Sequence, residues 1–187
     1  MSKFLGRWFN IYKNEISLFL WTAALLFLVR CCGVYLNNYA ETTFLKRYGV
    51  EYLPIVNMLN AVATFFIMGA MTGIIARSPG ARLLTRLFVF CGASVAGLRL
   101  IIPLGYDLVY PLLFMLKSQY EVLLALLFWN LANDLFNTRQ SKRLFPLITA
   151  GGIIGQILAS FSTPRMVAVF SIDNLLVVYL VITLMGA

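Results

Sequence analysis

The sequence predicts an all-α fold: a polytopic membrane bundle of about six transmembrane helices. Three observations carry that prediction: the scarcity of charge, the length of the apolar runs, and the uneven placement of Lys and Arg between them. Of the 187 residues, 61% are hydrophobic and only 12% are charged. A soluble domain keeps its surface wet with roughly a quarter charged residues. The mean hydropathy of +0.86 points the same way, toward a surface at home in lipid.

The elements follow in chain order. From Lys3 to Glu15 the chain is amphipathic. Phe4, Leu5, Trp8, Phe9 and Tyr12 recur at three- and four-residue spacing, and Lys3, Arg7, Asn10 and Lys13 take the other face. Residues 1–15 are therefore expected to lie as a short helix in the membrane interface. A cleaved signal peptide fits poorly, because the following apolar run is too long and lacks a small-x-small cleavage site. A span needs about 20 mostly apolar residues. Five runs meet that need: Ile16–Leu36, Leu53–Ala76, Leu83–Leu104, Leu108–Phe136 and Leu144–Ser162. Pro111, near the start of the fourth, predicts a tilt or kink there. A sixth run begins near Asn174 and meets Ala187 before it can cross. The expectation is a six-helix bundle over residues 16–187, with its last helix cut short and the natural protein continuing.

Basic residues set the orientation. Lys3, Arg7 and Lys13 precede the first run; Arg77, Arg82 and Arg86 follow the second; Arg139, Lys142 and Arg143 follow the fourth. These nine share one side, and only Lys46, Arg47 and Arg165 fall on the other. Lys and Arg are retained in the cytoplasm, so the N-terminus is expected there. The net charge of +8 thus reads as membrane topology rather than as a surface for nucleic acid, and the lipid bilayer is the expected partner. Cys31, Cys32 and Cys91 lie within apolar runs and the chain has no His. That excludes a disulfide framework and a common zinc site, and no cofactor is expected.

Arg30, Arg99, Lys117 and Glu121 lie within spans. A charge at bilayer depth is costly and usually faces a wet cavity or a partner. Counted from the cytoplasmic end of each span, Arg30 and Glu121 fall at about 21 Å, Arg99 at about 24 Å and Lys117 at about 27 Å. Asn57 and Asn60 on the second span and Gln156 on the fifth lie nearby in sequence depth. These groups are expected to line a polar cavity. Arg30, Lys117 and Arg99 would offer positive charge to an anionic solute, Glu121 would act as counter-ion or coupling group, and Asn60 and Gln156 would supply polar contacts. Two plainer readings stand beside this one. Lys117 and Glu121, four apart on one helix, would neutralise each other, and Arg99 would snorkel toward headgroups.

Small residues mark close helix approach at Gly69-x-x-x-Gly73 and at Gly151-x-x-x-Gly155-x-x-x-Ala159. Asn130, Asn133 and Asp134, at the inner end of the fourth span, are expected to cap helix termini. The Arg139–Arg143 loop needs no substrate to explain it; its charges suit helix ends or anionic lipid. An enzyme is disfavoured: with no His, no Asp pair within spans and no G-x-S-x-G, catalytic groups are hard to assemble.

The connection Gly73-Ile-Ile-Ala-Arg77-Ser-Pro-Gly80-Ala-Arg82 has the spacing of the major facilitator loop motif G-x-x-x-D-R-x-G-R-R. Gly73, Gly80 and Arg82 match it, and Arg77 stands at the Asp position. Two further stretches, Phe44-Leu-Lys-Arg-Tyr-Gly-Val-Glu-Tyr-Leu-Pro54 and the longer run from Phe128-Trp129 through Arg139-Gln-Ser-Lys-Arg-Leu-Phe145 to Gly151-Gly-Ile-Ile-Gly155, resemble the bacterial and plastid ATP/ADP antiporter family, a branch of the major facilitator-like transporters. The resemblance covers the N-terminal half of such a protein. It implies two six-helix halves with the substrate site between them, the C-terminal half being the missing partner. It also implies exchange of nucleotides across a cell (inner) membrane by alternating access. Family members that exchange nucleotides follow the first-span Arg with a Lys-Asp pair; after Arg30 this chain reads Cys31-Cys32-Gly33. Glu121 corresponds to the family's fourth-span acidic residue. The alternative that this departure keeps open is a non-transporting membrane module derived from such a transporter.

Overall fold

The computed structural model describes residues 12–75, 77–170 and 172–187. The expected interfacial helix lies almost wholly outside these residues; what is described of it is Tyr12 and a single 3-10 turn, Lys13–Glu15. Six α-helices follow: α1 Ile16–Tyr48, α2 Leu53–Ile75, α3 Gly80–Ile101, α4 Val109–Leu135, α5 Thr138–Phe170 and α6 Asn174–Gly186. Among the described residues, the first five are long and apolar enough to cross a membrane, and α6 is a shorter apolar helix. The protein is a multi-pass membrane helix bundle.

Helices α1, α3 and α5 depart from the expected bounds. The apolar run of α1 stops at Leu36, yet the helix continues to Tyr48, about 50 Å in all against a hydrocarbon layer of about 30 Å. The polar residues past Leu36 are helical because other helices satisfy them. The Asn38 amide donates to Thr163 Oγ1 at 3.1 Å and the Tyr39 hydroxyl to Asp173 at 3.2 Å. The helix ends at Gly49, whose φ of 81° suits a residue without a Cβ, with Lys46 and Arg47 in the last turn facing the negative end of the helix dipole. The fifth span likewise outruns its apolar core at both ends. It carries Pro146 and Pro164 inside the helix, each of which removes a backbone donor. The bounds of α2 and α4 agree with the sequence to within a residue or two. Helix α3 passes into a 3-10 turn, Ile102–Leu104, where Pro103 disfavours further α-helix.

Helix α1 is central. It packs most broadly on α5, then on α4 and α6, and α3 fits between α4 and α6. Buried residues from several sides of α1, Leu26, Cys32, Leu36, Tyr39 and Ala40 among them, fill the middle of the bundle. The α1–α5 seam is close because α5 presents small residues to it. A Cβ on Gly155 would fall 2.7 Å from the Phe27 carbonyl oxygen, and one on Gly151 3.4 Å from the Ala23 backbone. The three cysteines are free and buried; Cys31 Sγ donates to the Gly155 carbonyl at 3.3 Å. Helix α2 stands apart. It touches α4 sparingly, Val56 is its single buried residue, and nothing lies within 4 Å of a Cβ on Gly69 or Gly73.

Candidate functional site

The chain alternates direction, so charged groups collect at two ends and one middle layer. At the basic end, Glu15 Oε2 accepts from Arg143 at 2.6 Å and Glu15 Oε1 from the Gln140 amide at 2.9 Å. The Arg143 guanidinium lies 4.6 Å from the centre of the Tyr12 ring. Burial alone would raise the Glu15 carboxyl; hydrogen bonds from Gln140 and the Tyr12 backbone N–H, with the charge of Arg143, outweigh it and hold the group below its ordinary value. Asn130 and Asp134 lie against Gly80 at the start of α3. No side-chain cap bond forms there, so the expected capping role is met in position only.

In the middle layer, Arg30 of α1 faces Glu121 of α4 at 3.7 Å. Val29, Gly33, Val34 and Gln156 of α5 join them around a hollow of about 20 Å³, room for about one water molecule. Depth counting brought Arg30, Glu121 and Gln156 to one layer, and the structure brings them to one place. Two to three turns further along α1, the Lys117 ammonium donates to Asn37 Oδ1 and to Glu41 Oε1, each at 2.6 Å. It also sits 4.2 Å from the centre of the Phe114 ring. The two ion pairs differ in setting: side-chain exposure is 37% for Arg30 and 53% for Glu121, against 5% for Lys117 and 47% for Glu41.

Asn37 and Glu41 lie past Leu36, where the apolar run of the first span stops, so hydropathy alone does not point to them. The signal was present. Arg30, Asn37 and Glu41 stand at i, i+7 and i+11, which places them on one face of a helix that continues past Leu36. Lys117 is matched to Glu41 across helices, so the same-helix pairing with Glu121 is not its main contact. Asn60 goes elsewhere. Its side-chain oxygen accepts from the Gln119 amide at 2.6 Å, and Thr64 Oγ1 accepts from the same amide at 2.8 Å. This polar knot joins α2 to α4 and lies apart from the Arg30 hollow. Arg99 is on the last turn of α3 and so belongs to the far end of the bundle. There Arg47 Nε donates to Asp107 at 2.7 Å and the Tyr48 hydroxyl to the Asp107 carbonyl at 2.9 Å.

A family model described as TLC ATP/ADP transporter matches residues 85–183, just over half of the chain. The chain belongs to the TLC ATP/ADP transporter family. The match takes in Arg99, Lys117, Glu121 and Gln156, while Arg30, Asn37, Glu41 and Asn60 precede it. The chain is also similar to ADP,ATP carrier protein 3 of Rickettsia prowazekii (strain Madrid E), 34% identical over 68 residues, which cover 36% of this chain and 14% of that relative. The protein of the same name from Rickettsia typhi (strain ATCC VR-144 / Wilmington) gives the same identity and coverage. The match thus spans about a seventh of the length of these relatives. No solved structure matches the chain.

Proposed function

We propose that this chain forms one helical half of a secondary transporter that moves an anionic solute, adenine nucleotides being the first candidates, by alternating access. One observation carries the reading: a partly exposed Arg30–Glu121 pair at bilayer depth. A charged pair directed into lipid is costly, so this face is better suited to a watery cavity or a second helical unit. A hollow of about 20 Å³ is far below the roughly 300–1,000 Å³ of a ligand pocket. The solute cavity therefore needs a second unit against this face, which we assign to a C-terminal half of the same protein.

The chemistry follows from the geometry. At 3.7 Å the Arg30–Glu121 contact is longer than a direct charge-assisted hydrogen bond. The guanidinium can present its donors to a phosphate, and the arriving anion displaces Glu121 by like-charge repulsion. Lys117, tightly held by Asn37 and Glu41, serves as fixed positive charge behind the site rather than as a ligand. Gln156 supplies a neutral polar contact at its edge. The positive-inside rule supports a cell (inner) membrane protein with its Glu15–Arg143 end in the cytoplasm and residues 1–15 on the interface. The match to the TLC ATP/ADP transporter family supports a carrier rather than an enzyme.

Labelled ADP uptake into proteoliposomes holding the full-length protein, with and without internal ATP, tests the reading. Uptake that needs internal nucleotide is the expected result, and Arg30→Ala should cut it at least about tenfold, the loss of one charge-assisted contact of about 1.5 kcal/mol. Normal uptake by Arg30→Ala would remove that residue from the site. No uptake by folded wild type would favour a non-transporting module, a reading that the absent Lys-Asp pair after Arg30 supports.

A further inference from the structure

The seam between α1 and α4 holds two ion pairs and leaves open ground between them. Arg30, Gly33, Asn37 and Glu41 stand at i, i+3, i+7 and i+11 on α1, on one face of the helix. Glu121 and Lys117, four apart on α4, meet that face from the other side, with about 6 Å between their Cβ atoms. Charge therefore alternates along the seam: Arg30, Glu121, Lys117, Glu41. Gly33 is the residue of this face between the two pairs. Among the described residues, a Cβ added to it would have one neighbour within 4 Å, Glu121 Cγ at 3.9 Å. With no side chain there, α1 puts no obstacle beside Glu121 on the way from Arg30 to Lys117.

The two pairs hold their acids differently. Glu121 is half-exposed, and its 3.7 Å contact with Arg30 is longer than a charge-assisted hydrogen bond. Lys117 is buried and pinned: Asn37 Oδ1 and Glu41 Oε1 take two of its N–H groups at 2.6 Å each. An ammonium has three. The third has no oxygen partner among the described residues; the Phe114 ring, with its centre 4.2 Å from Nζ, attracts the charge without a carboxylate's hydrogen bond. An anion on Arg30 strands Glu121 as an unpaired charge at bilayer depth, which is costly. The cation one turn away on its own helix is Lys117.

We propose that Glu121 is a shuttling carboxylate with two resting places: Arg30 while the solute site is empty, and the spare donor of Lys117 once an anion holds Arg30. Asn37 and Glu41 keep the ammonium in place to receive it, and Gly33 keeps the path open. The inference deepens the carrier reading and rests on it for the anion. Its consequence is that solute arrival leaves neither carboxylate of the seam without a cation.

Arg30→Gln removes the first resting place without any solute, so the transfer can be read as Tm in the empty full-length protein in detergent. With Arg30 in place, Glu121→Gln should shift the Tm equally in wild type and in Lys117→Gln, because Glu121 rests on Arg30 in both. In Arg30→Gln the same change should lower the Tm by about 2 °C or more, since the new bond to Lys117 is lost. In Arg30→Gln with Lys117→Gln it should instead raise the Tm, since it then removes an unpaired carboxylate. A shift in the Arg30→Gln background that ignores Lys117 overturns the proposal. So does an equal dependence on Lys117 with Arg30 in place, which would mean that Glu121 already rests on both. Should Lys117→Gln not fold, Gly33→Val decides with every charge kept. In Arg30→Gln with Gly33→Val, Glu121→Gln should no longer lower the Tm; a fall as large as in Arg30→Gln alone overturns the shuttle. No nucleotide enters these measurements, so their failure is separate from a failure of ADP uptake.

Discussion

Helices α5 and α2 carry the same small-x-x-x-small pattern, and the bundle uses only one of them. On α5, Gly151 and Gly155 let the backbone of α1 come within contact, and a Cβ on Gly155 would collide with the Phe27 carbonyl. On α2, Gly69 and Gly73 meet nothing within 4 Å. The difference lies in the opposing surface. Across from α5 is the central helix, with Ala23 small enough to receive it; across from that face of α2 the described residues offer no helix. Small residues permit approach but do not choose a partner, because in lipid the gain comes from the fit of two surfaces. What holds α2 is instead polar and local: Asn60 and Thr64 on the buried Gln119, with Val56 against the rings of Phe44 and Phe114.

The largest effect should come from filling the used stripe. Gly155→Leu puts a branched side chain where backbone already stands, and overpacking of this kind costs about 1–3 kcal/mol or more. The expected result is loss of a single folded species in size-exclusion chromatography in detergent. A full yield of folded Gly155→Leu would show that the seam is looser than its geometry. Gln119→Leu comes next. It strips Asn60 and Thr64 of their partner, and interhelical hydrogen bonds in membranes are worth about 0.6 kcal/mol each. Faster proteolysis at Arg77–Arg82 with little change in Tm would mean that α2 loosens by itself; a Tm loss as large as that of Gly155→Leu would mean that α2 is integral to the core. Gly69→Leu should change chain stability by no more than about 0.5 kcal/mol, as a surface position does. A large loss would reveal a surface that meets α2 in the whole protein.

The smallest effect is electrostatic and concerns the basic end of the α1–α5 seam. Glu15 has its carboxyl lowered from its ordinary 4.5 in the folded protein. Its contribution is therefore fully present above pH 4.5 and fades as the pH falls through the lower folded value. Wild type should lose a little Tm on going from pH 6 to pH 4, and Glu15→Gln should lose less over the same interval. Equal losses would assign the acid sensitivity of the seam to other groups.

Which parts were legible in the sequence follows from the same physics. The bounds of α2 and α4 were readable because hydropathy changes where the helix ends. The 12 residues from Asn37 to Tyr48 were not, since their helix is stabilised by Thr163, Asp173 and Lys117, partners no local pattern reveals. Glu41 and Asn37 were lost with that extension, and Lys117 was left with Glu121 as its apparent neighbour. Arg30, Glu121 and Gln156 were recoverable because depth along antiparallel helices is simple arithmetic. The same arithmetic does not separate Asn60, which shares roughly that layer but faces Gln119 on another side of the bundle. Nor does it separate Arg99, which lies on the last turn of α3 at the far end. Depth fixes height and leaves azimuth open.

The length of α1 has a mechanical consequence. A single helix runs from the Glu15 clamp, past Arg30 at mid-depth, to the Arg47–Asp107 contact, with no proline along it to absorb a bend. Rocked by 10° about its middle, such a rod swings each end by about 4 Å in opposite directions, since each arm is about 25 Å long. Its neighbour α5 carries Pro146 and Pro164 inside the helix, each lacking a backbone donor, and so has two places to yield. In the mechanics of the bundle α1 is the lever and α5 the jointed strut beside it, so that a shift begun at one face of the membrane is felt at the other.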